Sequence, residues 1–147
     1  MINKQFAQKL LYCFLLFIQV GLIIAVFVVN NLTGTKAGVY RHVYTRRMQY
    51  MEGLYNPTSI QWQSLLVASL GILLLILLFS SIKKGRGLFY KVQIVLAFLL
   101  SLFVIIVMNS QFFIAMMAYP YMIIVFEIVL AIQLIVVIAL SLKRPKQ

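Results

Sequence analysis

The amino-acid sequence predicts an all-α membrane protein, a four-transmembrane-helix bundle with an amphipathic extracytoplasmic helix between the first and second spans. Hydrophobic residues make up 64% of the 147 positions and charged residues only 10%, whereas soluble proteins average about 25% charged residues. The apolar residues also fall in long continuous blocks, which a membrane β-barrel with its alternating polarity does not have. We therefore expect residues 1–147 to form a single membrane domain.

Four blocks are long enough to cross a hydrocarbon core, which takes roughly 20 helical residues. They are Leu10–Val29, Trp62–Ser80, Val92–Met108 and Tyr121–Leu142. Helices are expected because lipid offers no hydrogen-bond partner to backbone N–H and C=O groups. A cleaved signal peptide with Lys4 and Lys9 as its basic region is the alternative for the first block. The length of that block and the absence of a small-x-small cleavage pattern after it favour a retained helix.

The basic residues predict the orientation in the membrane. One side carries nine of them, Lys4, Lys9, Lys83, Lys84, Arg86, Lys91, Lys143, Arg144 and Lys146, and the other carries four, Lys36, Arg41, Arg46 and Arg47. The positive-inside rule then places both termini in the cytoplasm, and we expect a multi-pass protein of a bacterial cytoplasmic membrane. The net charge of +11 is explained by anchoring to anionic lipid head groups. A nucleic-acid partner is not expected, because the chain has no long soluble segment.

The segment Asn30–Gln61 is the one sizeable aqueous loop of the predicted topology. Its first residues, 31–35, are typical of a turn, and Val39–Glu52 has the periodicity of an amphipathic helix on which only Arg47 intrudes on the apolar half. This helix either lies in the membrane interface, with arginines on lipid phosphates, or docks a partner or ligand. The residues assigned to that contact are Tyr40, Arg41, Tyr44, Arg46, Met48 and Met51.

Glycine and proline residues predict the remaining helix ends. Gly53 is the expected C-cap of the loop helix, and Asn56-Pro57 predicts an N-cap followed by proline at the first helical position. Gly85-Arg86-Gly87 predicts a tight turn between the second and third spans. The stretch from Phe112 to Leu142 is too long for one straight span. We expect a break at Pro120 with the preceding segment in the outer interface, and a kinked, tilted helix is the alternative.

Glu127 is the residue in the spans with the strongest case for a functional role. It is the only acidic residue in any predicted span, and intramembrane acids generally face the bundle interior or a watery cavity. We predict that Glu127 is a proton- or cation-linked site, or pairs with Arg47. The alternative is a protonated carboxyl that packs in the bundle and donates a hydrogen bond.

Other polar and small residues in the spans predict contacts between helices. Four polar residues fall at similar predicted depths and are expected to form interhelical hydrogen bonds: Gln19, Ser69, Ser101 and Gln133. A path for a hydrophilic substrate is the alternative. Small residues lie four apart in three spans: Gly21/Ala25, Ser64/Ala68 and Ala97/Ser101. This spacing allows close approach of helices, within the bundle or against another subunit.

The sequence offers no set of residues suited to catalysis or to a cofactor. Cys13 and His42 are each the only residue of their type and the chain has no aspartate, so neither a metal centre nor a catalytic triad is expected. Two functions remain. The favoured one is a non-catalytic accessory, regulatory or immunity-type subunit that packs against other membrane proteins or against itself. The alternative is a small oligomeric transporter or channel that uses Glu127.

Overall fold

The computed structural model describes residues 4–142, and all regular structure in that range is helical. The helices are α1 (Lys4–Thr35), α2 (Ala37–Glu52), α3 (Pro57–Lys83), α4 (Leu88–Asn109), α5 (Gln111–Ile114) and α6 (Tyr119–Ser141). Of these, α1, α3, α4 and α6 are long and apolar enough to cross a membrane, so the chain is a multi-pass membrane protein. The side chain of Lys4 and residues Lys143, Arg144 and Lys146, which were counted for orientation, lie outside the described residues.

Two helices, α4 and α6, form the centre of the bundle. They pack against each other, with α3 on the far side of α4 and α1 on the far side of α6. Within an 18-residue stretch of each span, 39% of the residues are buried in α4 and in α6, compared with 11% in α1. The short helix α2 crosses α1 and α6 at one end of the bundle. We call this the α2 end, and the opposite end, which holds the link between α3 and α4, the turn end.

The helix ends around α3 follow the sequence signals. The Asn56 side chain accepts a hydrogen bond from the backbone N–H of Ser59 at 2.8 Å, with Pro57 in the first turn, so the predicted N-cap is confirmed. Gly53 is the C-cap of α2, as expected. At the turn end, Gly85 has a φ of 61°, a conformation that glycine adopts without steric cost.

The turn expected at residues 31–35 is instead the last part of α1, which continues to Thr35. Two threonine side chains explain how these polar residues remain helical. The hydroxyl of Thr33 donates to the carbonyl of Asn30 at 2.6 Å, and that of Thr35 donates to the carbonyl of Leu32 at 3.3 Å. Hydroxyls bonded to the preceding turn in this way are compatible with a helix.

The chain breaks between α5 and α6, close to the predicted position. Helix α5 ends at Ile114, and α6 begins at Tyr119 with Pro120 in its first turn. Proline is tolerated there because the N–H groups of the first turn have no helical acceptor. The segment before Pro120 is therefore separate from the last span, and the alternative of one kinked helix is wrong.

A close approach of α3 and α4 lies midway along these helices. A Cβ atom built on Gly71 would lie 3.1 Å from the hydroxyl oxygen of Ser101, and both Ala97 and Ser101 are fully buried. The predicted Ala97/Ser101 pair therefore packs within the bundle. Gly21 has no atom within 4 Å of such a Cβ position, so the Gly21/Ala25 pair leaves open space beside α1.

Candidate functional site

A hydrogen bond joins Glu127 to the link between α2 and α3. The hydroxyl of Tyr55, which is buried in that link, donates to Glu127 Oε2 at 3.1 Å. Glu127 lies eight residues after the start of α6, about 12 Å along the helix, on the side of the bundle near the α2 end. The intramembrane carboxyl is thus half-buried and has a polar partner within the same chain.

Three tyrosine rings surround this contact. The ring centroids of Tyr50 and Tyr55 lie 6.1 Å apart, and those of Tyr50 and Tyr121 lie 6.0 Å apart, both with edge-to-face geometry. Burial is the main reason that the pKa of Tyr55 is raised well above its usual value, and the charge of Glu127 raises it further. The phenol therefore remains protonated at neutral pH and is the hydrogen-bond donor.

Arg47 binds the backbone of the break before α6. Its Nη1 donates to the carbonyl oxygen of Met116 at 2.9 Å, and its Nη2 donates to that of Ile114 at 3.0 Å. The structure therefore does not contain the predicted pairing of Arg47 with Glu127. The physical reason is that Arg47 reaches the irregular segment between α5 and α6, where the carbonyl groups are not part of a continuous helical ladder and readily accept from a cation.

Two further side chains stabilise this corner of the bundle. The Asn30 side-chain oxygen accepts a hydrogen bond from the backbone N–H of Ala118 at 3.3 Å. The hydroxyl of the buried Tyr119 donates to the carbonyl of Met108 at 2.8 Å. Together with Arg47, these contacts attach α1, α2 and α4 to the irregular segment before α6. A membrane-embedded break requires such internal partners for its backbone.

Three glutamine side chains form a buried cluster toward the turn end. Gln19 of α1 donates to the side-chain oxygen of Gln133 of α6 at 3.2 Å. The Nε2 of Gln133 then donates to the side-chain oxygen of Gln93 in α4 at 2.7 Å, and to the backbone oxygen of Gln93 at 3.2 Å. All three residues are buried. We refer to them as the glutamine cluster, and it links three of the four spans.

The glutamine cluster contains only half of the polar set that the sequence predicted. Gln19 and Gln133 meet, but Ser69 is exposed and donates to the carbonyl of Leu66 of its own helix at 2.7 Å. Ser101 is buried and donates to the carbonyl of Phe98 at 2.7 Å. Gln93 was missed because it lies near the predicted start of the third span. The signal that could have identified it is its place in the second turn of an otherwise apolar helix.

Helix α2 presents most of its predicted contact residues to the outside of the chain. Tyr40, Tyr44 and Met48 are exposed, and the first two stack with ring centroids 6.0 Å apart. Arg41 and Arg46 line a polar groove that also includes His42. Met51 is the exception, because it packs against the buried core near Tyr55.

An apolar groove of about 540 Å³ lies on the other side of α2. Its walls come from α1, α2 and α6, and it is lined by Leu22, Ala25, Val26, Val29, Gly38, Val39, His42, Val43, Tyr121 and Val125. Glu127 and the glutamine cluster are not among these residues. The groove is therefore a cleft between helices at the α2 end, separate from the polar contacts inside the bundle.

The described part of the chain, residues 4–142, holds no group of three His, Cys, Asp or Glu residues placed to bind a metal ion. Cys13 is exposed.

Comparison of the chain with protein-family models, with curated proteins and with solved structures finds no match.

Proposed function

We propose that the protein is a non-catalytic accessory, regulatory or immunity-type subunit that packs α1 against a helix of another membrane protein. The observation that carries this proposal is the open space beside Gly21. Both Gly21 and Ala25 are exposed in the isolated chain, and small residues four apart let a second helix approach closely.

The contrast with α3 and α4 supports this reading. There, Ser101 lies against Gly71 and Ala97 is fully buried, so close helix packing inside the chain uses its own set of small residues. On α1, large side chains around the small pair are also exposed, including Phe17 at 77% and Ile24 at 58%. A partner helix would cover this face of α1.

The polar side chains within the spans favour a packing role over transport. The amides of the glutamine cluster bond to one another, and Glu127 bonds to Tyr55. A transporter generally presents several ionisable or helix-breaking groups to a substrate near mid-membrane. Here Glu127 and the three glutamines of the cluster have hydrogen-bond partners within the chain.

The orientation and the role of α2 form part of the same proposal. The turn end, with Lys83, Lys84 and Arg86, faces the cytoplasm of a bacterial cell under the positive-inside rule. Helix α2 then acts as an amphipathic helix on the opposite surface. Its exposed Tyr40, Tyr44 and Met48 contact lipid head groups or the partner, since such aromatic and thioether side chains suit that boundary.

The test compares two small-to-large substitutions of the tagged protein in its native membrane. Wild type is expected to purify in mild detergent with one stoichiometric second polypeptide. Gly21→Leu is expected to lose that polypeptide, because a leucine side chain fills the space that the partner helix needs. Ala131→Leu, at an exposed site on α6, is the matched control and is expected to retain it.

Two results would contradict the subunit proposal. One is purification of wild type as a monomer or as a homo-oligomer without a second polypeptide. The other is an unchanged complex in Gly21→Leu, provided that its circular dichroism spectrum matches that of wild type. Because a Cβ at Gly21 meets no atom of the chain, the folding of the monomer should tolerate this substitution.

The second candidate function is a small oligomeric transporter or channel in which Glu127 is a proton- or cation-linked site. The observation that favours it is the position of an acidic residue, Glu127, within the span α6, since intramembrane acids often mark proton or ion paths. Flux of protons or monovalent cations into vesicles containing wild type is the test. Glu127→Gln should abolish the flux, while Glu52→Gln, which removes the other acidic side chain of the chain, should not.

A further inference from the structure

A small basic pocket of about 200 Å³ lies at the turn end, between α3, α4 and α6. It is lined by Leu77, Ser80, Ser81, Lys84, Arg86, Tyr90 and Ser141. The residues belong to the last two turns of α3, the link after it, the first turn of α4 and the end of α6. The pocket is therefore at the depth where a span leaves the hydrocarbon core for the head groups.

The hydroxyl of Ser81 is the feature of this pocket that points to a ligand. Ser81 is 2% exposed, and its Oγ has no hydrogen-bond partner within residues 4–142. Three other serines in the spans, Ser69, Ser101 and Ser141, each donate to the carbonyl three residues earlier. A buried hydroxyl without a partner destabilises the fold, so a polar ligand in the pocket would remove that cost.

Arg86 lines the pocket, and part of its guanidinium group remains available to bind a ligand. Its guanidinium carbon lies 4.9 Å from the centroid of the Tyr90 ring, and its Nη1 donates to the backbone oxygen of Ser141 at 3.4 Å. A guanidinium has five N–H donors in a fixed plane. The stacking on Tyr90 sets the orientation of that plane, and the remaining donors are free to bind an oxyanion.

The chain contains no acidic side chain that would neutralise these cations. Its two acidic residues are Glu52 in α2 and Glu127 in the half of α6 near the α2 end. Within residues 4–142, Lys84 and Arg86 therefore line the same pocket as the buried Ser81 hydroxyl, and no acidic side chain lines it. Donors and positive charge together, without a counter-ion, are the chemistry of a phosphate site.

We propose that this pocket binds a phosphate group, with the Ser81 hydroxyl, the Arg86 guanidinium and the Lys84 ammonium as its ligands. The phosphate comes either from the head group of an anionic membrane lipid or from a free phosphate ion. Basic pockets between spans at the head-group level suit both sources. This site is independent of the partner surface on α1.

The experiment measures the thermal stability of the full chain in a non-ionic detergent, since a ligand that binds the folded state raises Tm. One arm titrates inorganic phosphate against chloride at equal ionic strength. The second arm titrates phosphatidylglycerol into the micelles against phosphatidylcholine, and native mass spectrometry counts the retained lipid. A rise in Tm with phosphate assigns the free ion, and a rise only with phosphatidylglycerol assigns the lipid; either result supports the site.

Ser81→Ala gives the sharpest prediction, because its two effects have opposite signs. Without ligand the variant is expected to be as stable as wild type or more so, since it removes a buried hydroxyl that lacks a partner. Its affinity for the phosphate ligand is expected to fall about tenfold, the effect of one hydrogen bond to a charged group. Ser69→Ala is the matched control and should bind like wild type.

Lys84→Gln tests the electrostatic part of the site at an exposed side chain that the fold does not need. It should weaken binding severalfold, whereas Lys36→Gln, at the α2 end, should not. The proposal is overturned if neither phosphate nor phosphatidylglycerol raises the Tm of wild type. It is also overturned if Ser81→Ala and Lys84→Gln both bind as tightly as their controls.

Discussion

Replacing Gln133 by leucine should destabilise the bundle more than replacing either of its two glutamine partners. Gln133 takes part in all three hydrogen bonds of the glutamine cluster, at 2.7, 3.2 and 3.2 Å. Gln19 takes part in only one. Leucine has a similar volume but no polar atoms, so Gln133→Leu leaves the amides of Gln19 and Gln93 buried without this partner.

The expected magnitudes follow from the number of bonds. Hydrogen bonds between membrane helices average about 0.6 kcal/mol each. Gln133→Leu should therefore lower the free energy of unfolding by about 2 kcal/mol, and Gln19→Leu by about 0.6 kcal/mol. In the double variant, the loss should be smaller than the sum of the two single losses, because both remove the same bond.

The assay is unfolding of the purified chain in mixed micelles by increasing SDS, followed by far-ultraviolet circular dichroism. Ser69→Leu is the control, because Ser69 is exposed and bonds only its own helix. It should change the unfolding free energy by a few tenths of a kcal/mol at most. The reasoning is refuted if Gln133→Leu is no less stable than Ser69→Leu, or if the losses of the two glutamine variants are additive.

Three further predictions concern the α2 end. Tyr55→Phe should reduce the loss of stability that wild type shows above about pH 10, because the raised pKa of Tyr55 keeps the folded phenol neutral while the unfolded phenol ionises. Parallel pH profiles of the two proteins would contradict this. Arg47→Ala should cost about 1.5–3 kcal/mol and speed amide hydrogen exchange in residues 115–118, whereas Arg41→Ala should do neither. Asn56→Ala should cost about 1 kcal/mol of unfolding free energy as a lost N-cap, and Asn56→Asp should restore most of it.

Local signals in the sequence were sufficient for the long helices and their caps. Apolar blocks of the required length predict spans because a helix satisfies the hydrogen-bonding groups of its own backbone in lipid. Asn56-Pro57 and Gly53 act through neighbouring residues only, so their roles could be predicted without knowledge of the fold. The break near Pro120 belongs to the same class, because proline acts on the helix turn that contains it.

The residues near the end of α1 show where local signals mislead. Polar residues and Gly34 after an apolar block are typical of a turn, but α1 continues to Thr35. Composition alone does not distinguish a helix that extends out of the membrane from a loop. In the structure the backbone hydrogen bonds continue to Lys36, whose N–H donates to the carbonyl of Leu32 at 2.9 Å, and the hydroxyls of Thr33 and Thr35 bond to carbonyls of the preceding turn.

The pairing of side chains between helices could not be predicted, because it depends on rotation and depth. Glu127 and Arg47 are each unusual in their surroundings, and charge complementarity suggested that they pair with each other. The structure instead brings Arg47 to the backbone carbonyls of Ile114 and Met116. The contact between Gln93 and Gln133 could not be predicted either, because it depends on how far α4 and α6 are displaced relative to each other along their axes.

The bond between Gln19 and Gln133 spans 114 residues, which has a consequence for biogenesis. A ribosome adds about 5–20 residues per second, so Gln19 is synthesised about 6–23 seconds before its partner. Until the last span is inserted, the first span therefore carries an amide without this partner. Chains interrupted before the last span would retain that amide, and a quality-control protease could recognise them by it.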